Sequence, residues 1–568
     1  MKTPSFDEFS LLGWEGIQPF YDQLLEINLT EESLDSWMEN WSDLRKLVDE
    51  RNARLLLATA LDMSDEEAEK DYHGFLEEIY PAIQAADQKL KEKILESGLI
   101  PAGMEIALRK MRLEADLFCV ENLPLQTKEK KLKTEYGKIF AAQTVQWGED
   151  ELTIDQAKTT MLTEDRGMRK ELWELMAQRQ LEDRKTVNDI WEQFMEIRKT
   201  LASNAGHEDY RSFRWQQRLR LDYTPEDSRQ FLNAIKETAV PAATRVYQRH
   251  QKRLGIDQVH PWDLIDNQRT FILPAPKVFK SEEELITKAG GIFNHLDPIL
   301  GDYFQIMQKE GLLDLMSRKN KRQGGFCTSF ATVGVPFIFM NASGRINDLW
   351  VLLHESGHAF HNFEKTKLPY HHQWRSGMEF NEVASTAMEL LAQPFISAEQ
   401  GGFLPPQDVA QTRILKLESG LLFWPYMAIV VAFQHWVYEN HDLASNPDAC
   451  DDKWGELVDM YMPGIKWDGH EDVKRTGWHR KSHIHTEPFY YIEYGLSSLG
   501  AFQIWEKAQV DPKLALQKYR QALALGGTET ISKLYKTAGA NLAFDKDSLG
   551  KIVELIEATL LDLESQLN

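Results

Sequence analysis

Residues 350–361 read WVLLHESGHAFH. His354 and His358 stand at i and i+4. On a helix this spacing puts both imidazoles on one face, roughly 6 Å apart along the axis, so they can share one ion. Glu355 follows the first histidine directly, which points its carboxylate beside that ion, within reach of a proton on a bound water. HExxH on a helix therefore means two metal ligands and a general base. Leu352, Leu353 and Phe360 give the same helix an apolar side to bury. In a chain with 16 histidines the motif needs corroboration, because helical histidines also serve only as hydrogen-bonding groups.

A catalytic zinc takes a third protein ligand and keeps one position open. The metzincin pattern would need Gly at 361 and His at 364, but His361 and Glu364 stand there. The acids downstream, in GMEFNEVASTAMELL, are Glu379, Glu382 and Glu389, which follow His358 by 21, 24 and 31 residues. Glu382, Thr386 and Glu389 share a helical face. Two acids so spaced suit one ligand and one partner that orients a ligand, and spacing alone does not choose among them. His361 reads as a supporting or core histidine. Asp348 reads as a helix cap, and His371 and His372 as loop residues.

A second cluster lies at 477–501, GWHRKSHIHTEPFYYIEYGLSSLGA. Its histidines (His479, His483, His485) and tyrosines (Tyr490, Tyr491, Tyr494) could donate to a developing oxyanion. Tyr490 and Tyr494, at i and i+4, share a helix face. The spacing also describes an aromatic core helix.

These residues must be positioned by a mainly helical framework. Helical periodicity covers 31–60, with Thr30 as N-cap, then 64–99, ended by Gly98 and Pro101. It continues through 102–145 and 155–203, and again after 225 with breaks at Pro261 and around 271–278. The run KEKKLK (128–133) reads as an exposed face. QTVQWGEDELTI predicts a hairpin turning at Gly148-Glu149-Asp150. RQGGFCTSFATVGVPFIFMNASG (322–344) predicts a glycine turn and then strands, the last over 335–341. That strand could take a substrate backbone as an added strand or be a buried structural strand. SNAGHEDYRSF (203–213) predicts a connection between lobes, and the run KRTGWHRK (474–481) a solvated loop, with contact to a peptide carboxylate as the alternative.

Composition narrows the class. With 42% hydrophobic residues and 16 Trp the chain can bury a sizeable core. A net charge of -23 repels phosphate backbones, so nucleic acid is not an expected partner. Cys119, Cys327 and Cys450 form no CxxC pair, which excludes a thiolate zinc site and fits a reducing compartment. The first residues lack the apolar core of a signal peptide. LLFWPYMAIVVAF (421–433) is short, holds Pro425 and reads as a buried helix, not a membrane span. The expected location is cytoplasmic, without a membrane partner.

HESGHAFH (354–361), NEVAST (381–386) and HTEPFYYIEYGLSSLGA (485–501) together resemble the oligoendopeptidase F branch of the thimet-oligopeptidase-like zinc peptidases. WGEDELT, GGFC and the 203–230 stretch resemble it more weakly. The resemblance implies a mainly α fold of two lobes around a deep central channel, with a small β-sheet next to the active site. It implies one zinc ion on His354, His358 and Glu382, with Glu355 as general base. It also implies His485 as a substrate-contacting histidine, Tyr490 as the transition-state tyrosine and Tyr494 as a substrate-side tyrosine. A further family tyrosine is replaced here by Ser497. The implied activity is cleavage of internal bonds in oligopeptides, with residues 1–200 as a helical channel wall and 201–568 as the catalytic domain. A related metallocarboxypeptidase, or a helical peptide binder with a vestigial metal site, are the alternatives. Oligomeric state is not legible.

Overall fold

The computed structural model describes residues 3–162, 164–265, 270–271 and 277–567. The chain is mainly helical with three small sheets. Local chemistry sets many helix ends. Thr30 caps the helix Glu31–Leu61 in a reciprocal capping box with Ser33, and Gly98, at φ +69°, ends Tyr80–Ser97. The helical stretch expected over 64–99 runs on from Glu66 to Ser97, with a π-helical turn at Phe75–Ile79. The expected hairpin forms from β1 (Thr144–Trp147) and β2 (Asp150–Thr153), with Gly148 at φ +63° in the turn. The break at Pro261 is a short 3-10 turn, followed by β3 (Leu264–Ile265) and β4 (Thr270–Phe271). Residues 272–276 of the expected break around 271–278 lie outside the described residues.

The fold divides into two units, each assembled from three chain segments. The first comprises Met1–Asp116, Pro276–Pro406 and Gly500–Leu542. The second comprises Leu117–Ala275, Gln407–Leu499 and Ala543–Asn568. Residue 200 lies inside the helix Arg184–Asn204. The 203–213 stretch, expected to connect lobes, is an internal turn of the second unit leading into the helix Tyr210–Gln217.

In the first unit the N-terminal helices pack around Trp37, Trp41, Phe9 and Tyr21, all fully buried. Its sheet has the order β5-β7-β6, from Leu313–Met316, Val335–Ala342 and Phe326–Phe330. The strand expected at 335–341 is β7, which runs parallel to β5 and antiparallel to β6. Both its edges are occupied, so it cannot accept a substrate strand, and the structural reading of this segment holds. Next in the chain come the HExxH helix (Ile346–Lys365) and then the acid helix (Met378–Leu391).

These two helices touch through Gly357. A Cβ there would meet the Ala384 carbonyl oxygen at 2.5 Å and Ser385 Cα at 2.6 Å, both backbone atoms that cannot swing aside. The Ala384 carbonyl also accepts a 2.7 Å hydrogen bond from the Tyr519 hydroxyl. In the second unit the long helix Pro406–Glu439 is apolar and long enough to cross a membrane, but 78% of its most apolar window is buried inside the fold. The expected buried helix over 421–433 is its central part.

Gly357→Ala should force the two helices apart. A loss of about 1–3 kcal/mol is expected in denaturant unfolding, and unchanged stability would show that the crossing can relax.

Candidate metal centre

The HExxH helix starts where Asp348 gathers three backbone N–H groups, from Ser343, Gly344 and Arg345, at 2.7–2.9 Å. Asp348 is therefore a cap. One turn and a half later the helix presents His354 and His358, their rings 5.0 Å apart and nearly perpendicular. Glu382, from the acid helix, meets both. Its Oε2 lies 3.5 Å from His354 Nε2 and 3.9 Å from His358 Nε2. Ser385, one turn on, donates to the same oxygen at 3.2 Å. The three donor atoms lie within 4.8 Å of one another, and theirs is the arrangement among the described residues that could hold a metal ion.

The choice left open by spacing now has a geometric basis. Glu389 does not join the triad; its Oε1 hydrogen-bonds His354 Nδ1 at 2.9 Å. That bond leaves Nε2 as the donor atom facing Glu382 and fixes the ring orientation. Glu379 is buried nearby but is not one of the three converging donors. His361 is buried edge-on against Phe380, 5.9 Å between centroids, and its Nε2 has no hydrogen-bond partner among the described residues. Burial holds it well below the usual imidazole range. It packs against the acid helix.

Electrostatics follow from these contacts. Burial opposes a charge on His354, but hydrogen bonds to Glu382 and Glu389 prevail and raise it to about 10. Burial brings His358 down to about 4. These are the tendencies of the protein groups alone, in which His354 takes the place of a cation between two carboxylates. Glu355 is buried, and burial raises it to about 7, with His354 opposing and Glu382 and Glu389 reinforcing. The backbone N–H of Cys327, on β6, donates to its carboxylate. Cys327 itself is held protonated by burial.

The second unit holds the other expected residues. His485 is fully buried, stacked on Tyr136 at 4.4 Å and on Trp478 at 5.6 Å. Its ring bonds to the Trp478 carbonyl at 3.3 Å. Enclosed in this way, His485, the expected substrate contact, has no exposed surface. The histidine that faces the tyrosines is His483, parallel to Tyr490 at 5.9 Å and edge-on to Tyr494 at 6.0 Å. The two histidines lie two apart on the short helix Ser482–Thr486, so they point to opposite sides, and only one can join the cluster. Tyr490 and Tyr494 are both half-buried, with rings 5.0 Å apart, as their i, i+4 spacing implied.

The segment before Tyr490 is clamped by buried arginines. Arg198, fully buried, donates to Glu129 at 3.1 Å, to the Tyr438 hydroxyl at 2.9 Å and to the carbonyls of Ile484 and His485. Glu129 is thus buried, with Leu132, in the 128–133 run, while Lys128, Lys130 and Lys131 are exposed. Arg220 donates to the Phe489 carbonyl and, at 2.7 Å, to Glu493. Phe489 and Leu219 adopt left-handed φ values of 61° and 57°, each costing roughly 1–2 kcal/mol in a non-glycine residue. Gln434 holds the strained Phe489 N–H at 2.5 Å. Arg218 lies over the Tyr490 ring at 4.6 Å.

Comparison with known proteins gives a consistent picture. The model of peptidase family M3 matches residues 159–553. An oligoendopeptidase F homolog of Borreliella burgdorferi is 22% identical, covering 96% of this chain and 92% of its own length. Oligopeptidase PepF of Bacillus subtilis is 24% identical over 58% of this chain and 48% of its own. The solved structure of PZ peptidase A with an inhibitor superposes with a TM-score of 0.85 at 25% identity, covering 99% of this chain and 98% of that one.

Glu382→Ala should abolish stoichiometric metal binding, whereas Glu389→Gln should keep the metal and weaken it about 10–100-fold. Elemental analysis and chelator competition separate the two; equal losses would refute the division of roles between these acids.

Proposed function

The chain belongs to peptidase family M3, and from that premise we propose that it is a zinc-dependent endopeptidase that cuts internal bonds of short oligopeptides. The observation that carries this reading is the convergence of His354, His358 and Glu382 from two touching helices, with the buried Glu355 next to the first ligand. Donors about 2.0–2.1 Å from a tetrahedral zinc lie roughly 3.4 Å apart, and the 3.5 and 3.9 Å separations at Glu382 Oε2 need little adjustment. Zinc, when bound, supplies a Lewis acid for the scissile carbonyl and acidifies water.

The protein residues do the rest. Glu355 takes the proton from the attacking water onto its carboxylate and delivers it to the leaving amine. A carboxyl that burial lifts to about 7 can both accept and hold that proton near neutrality. Glu389 keeps the His354 ring in its ligating tautomer. Tyr490 is assigned to donate its hydroxyl to the oxyanion, with His483 rather than His485 as its companion and Tyr494 as a substrate contact. What supports this is the family resemblance of residues 485–501, the half-exposure of these rings and the bracing of the preceding segment. All these residues fall within 201–568, the part expected to carry catalysis, and none comes from 1–200. Three free cysteines suit a reducing, cytoplasmic setting.

The decisive experiment combines metal analysis with mass-spectrometric mapping of cleavage in a peptide library. Glu355→Gln should retain zinc and lose nearly all turnover; near-wild-type cleavage would remove the base assignment. Tyr490→Phe should lower kcat, and an effect confined to KM would make it a binding residue. Peptides amidated at the C-terminus should still be cut, whereas a carboxypeptidase would leave them intact.

A further inference from the structure

The run 474–481 is not a solvated loop. Trp478, His479 and Lys481 are buried, and the guanidinium of Arg480 turns inward. Arg480 donates to the Val473 carbonyl at 2.7 Å and to the Thr476 hydroxyl at 3.4 Å, and no carboxylate pairs with it among the described residues. The neighbouring acids are committed elsewhere. Asp451 binds Arg184 at 2.6 Å and the Trp478 indole at 2.7 Å. Asp459 binds Lys474 at 3.0 Å, and Asp452 pairs with Arg475. A guanidinium offers five N–H donors, so most of this one is unspent. Burial pulls Arg480 down to about 10, against the opposing effects of Tyr426, Tyr136 and Asp451.

Beside it lies a cavity of about 70 Å³, walled by Tyr426, Trp454, Trp467 and Lys474 and otherwise aliphatic. The indole N–H of Trp467, a second wall group, is buried and finds no acceptor. Two kinds of donor thus line one small space, and the indole N–H finds no acceptor among the described residues. Buried donors without acceptors are costly, and a water fills about 30 Å³, so the space suits one small ion. We propose that this cavity is a binding site for one small monovalent anion, a halide or a carboxylate group, held by Arg480 and the Trp467 indole. The residues that line it all belong to the second unit. Lys481, next in the chain, sits 3.7 Å from the Tyr491 ring centroid and 5.5 Å from that of Tyr426, a cavity wall. An anion here would temper the positive charge adjoining the His483–Tyr490–Tyr494 cluster.

The test is bromide binding to the full-length protein. A crystal soaked in sodium bromide should show an anomalous peak between Arg480 and Trp467. Chloride-35 line broadening should report the same site in solution. Arg480→Gln should weaken halide binding at least about tenfold, the loss of one charge-assisted contact. Should that variant fail to fold, Trp467→Phe keeps the ring, removes the N–H and should weaken halide binding severalfold. Acetate competing with bromide would identify carboxylate as an accepted ligand; halide binding without competition would restrict the site to halides. No peak in the crystal, with line broadening unchanged in both variants, would mean the cavity holds only water and would overturn the proposal.

Discussion

The candidate metal centre depends on one contact, the backbone approach of two helices at Gly357. His354 and His358 can share an ion only along their own helix. The third donor has to come from outside it, on a side chain only a few bonds long. The missing Cβ lets Ala384 and Ser385 lie against the HExxH helix, which carries Glu382 to within 3.5 and 3.9 Å of the two imidazoles. The same approach puts Glu389 against the back of His354. Tyr519 bonds to the Ala384 carbonyl at the crossing point, tying a third helix to it. Ligand geometry is thus set by helix packing, where a shift of an ångström would separate the donors.

The second unit solves a different problem with buried charge. Taking a guanidinium out of water costs several kcal/mol unless it is well bonded. Arg198 is bonded to a carboxylate, a phenol and two carbonyls, and Arg220 to a carboxylate and a carbonyl. Between them they hold the chain on either side of the turn that precedes Tyr490. The left-handed Phe489 and Leu219 persist because these contacts over-determine them. A tyrosine that must meet a transient oxyanion benefits from such bracing, because a preorganised donor does not need to move. Arg480 departs from this pattern: it is buried in the same unit without a carboxylate, beside an indole that also lacks an acceptor.

Local rules made much of this legible. The helix caps at Thr30 and Gly98, the hairpin turn at Gly148 and the HExxH face all depend on neighbours within a few residues, which is the range over which sequence spacing speaks. The features that spacing left open or placed differently share the opposite property. That β7 is central depends on β5 and β6 meeting it on both sides. That His485 is buried and His483 faces the tyrosines depends on which side of a five-residue helix meets Tyr136 and Trp478. The 474–481 run looked solvated because it is basic, but its side chains are satisfied or enclosed by residues distant in sequence.

The sequence by itself therefore determined the donor types, their shared helical face and the adjacent base, because i, i+4 geometry follows from helix pitch. It also narrowed the third acid to three candidates, and family resemblance pointed to Glu382. Only tertiary structure decided how Glu382 and Glu389 divide between facing both imidazoles and orienting one, because that rests on where two helices cross. It likewise decided which histidine joins the tyrosines and which buried guanidinium has no paired carboxylate among the described residues. Those outcomes depend on burial, and burial is a property of the packed chain rather than of any segment in it.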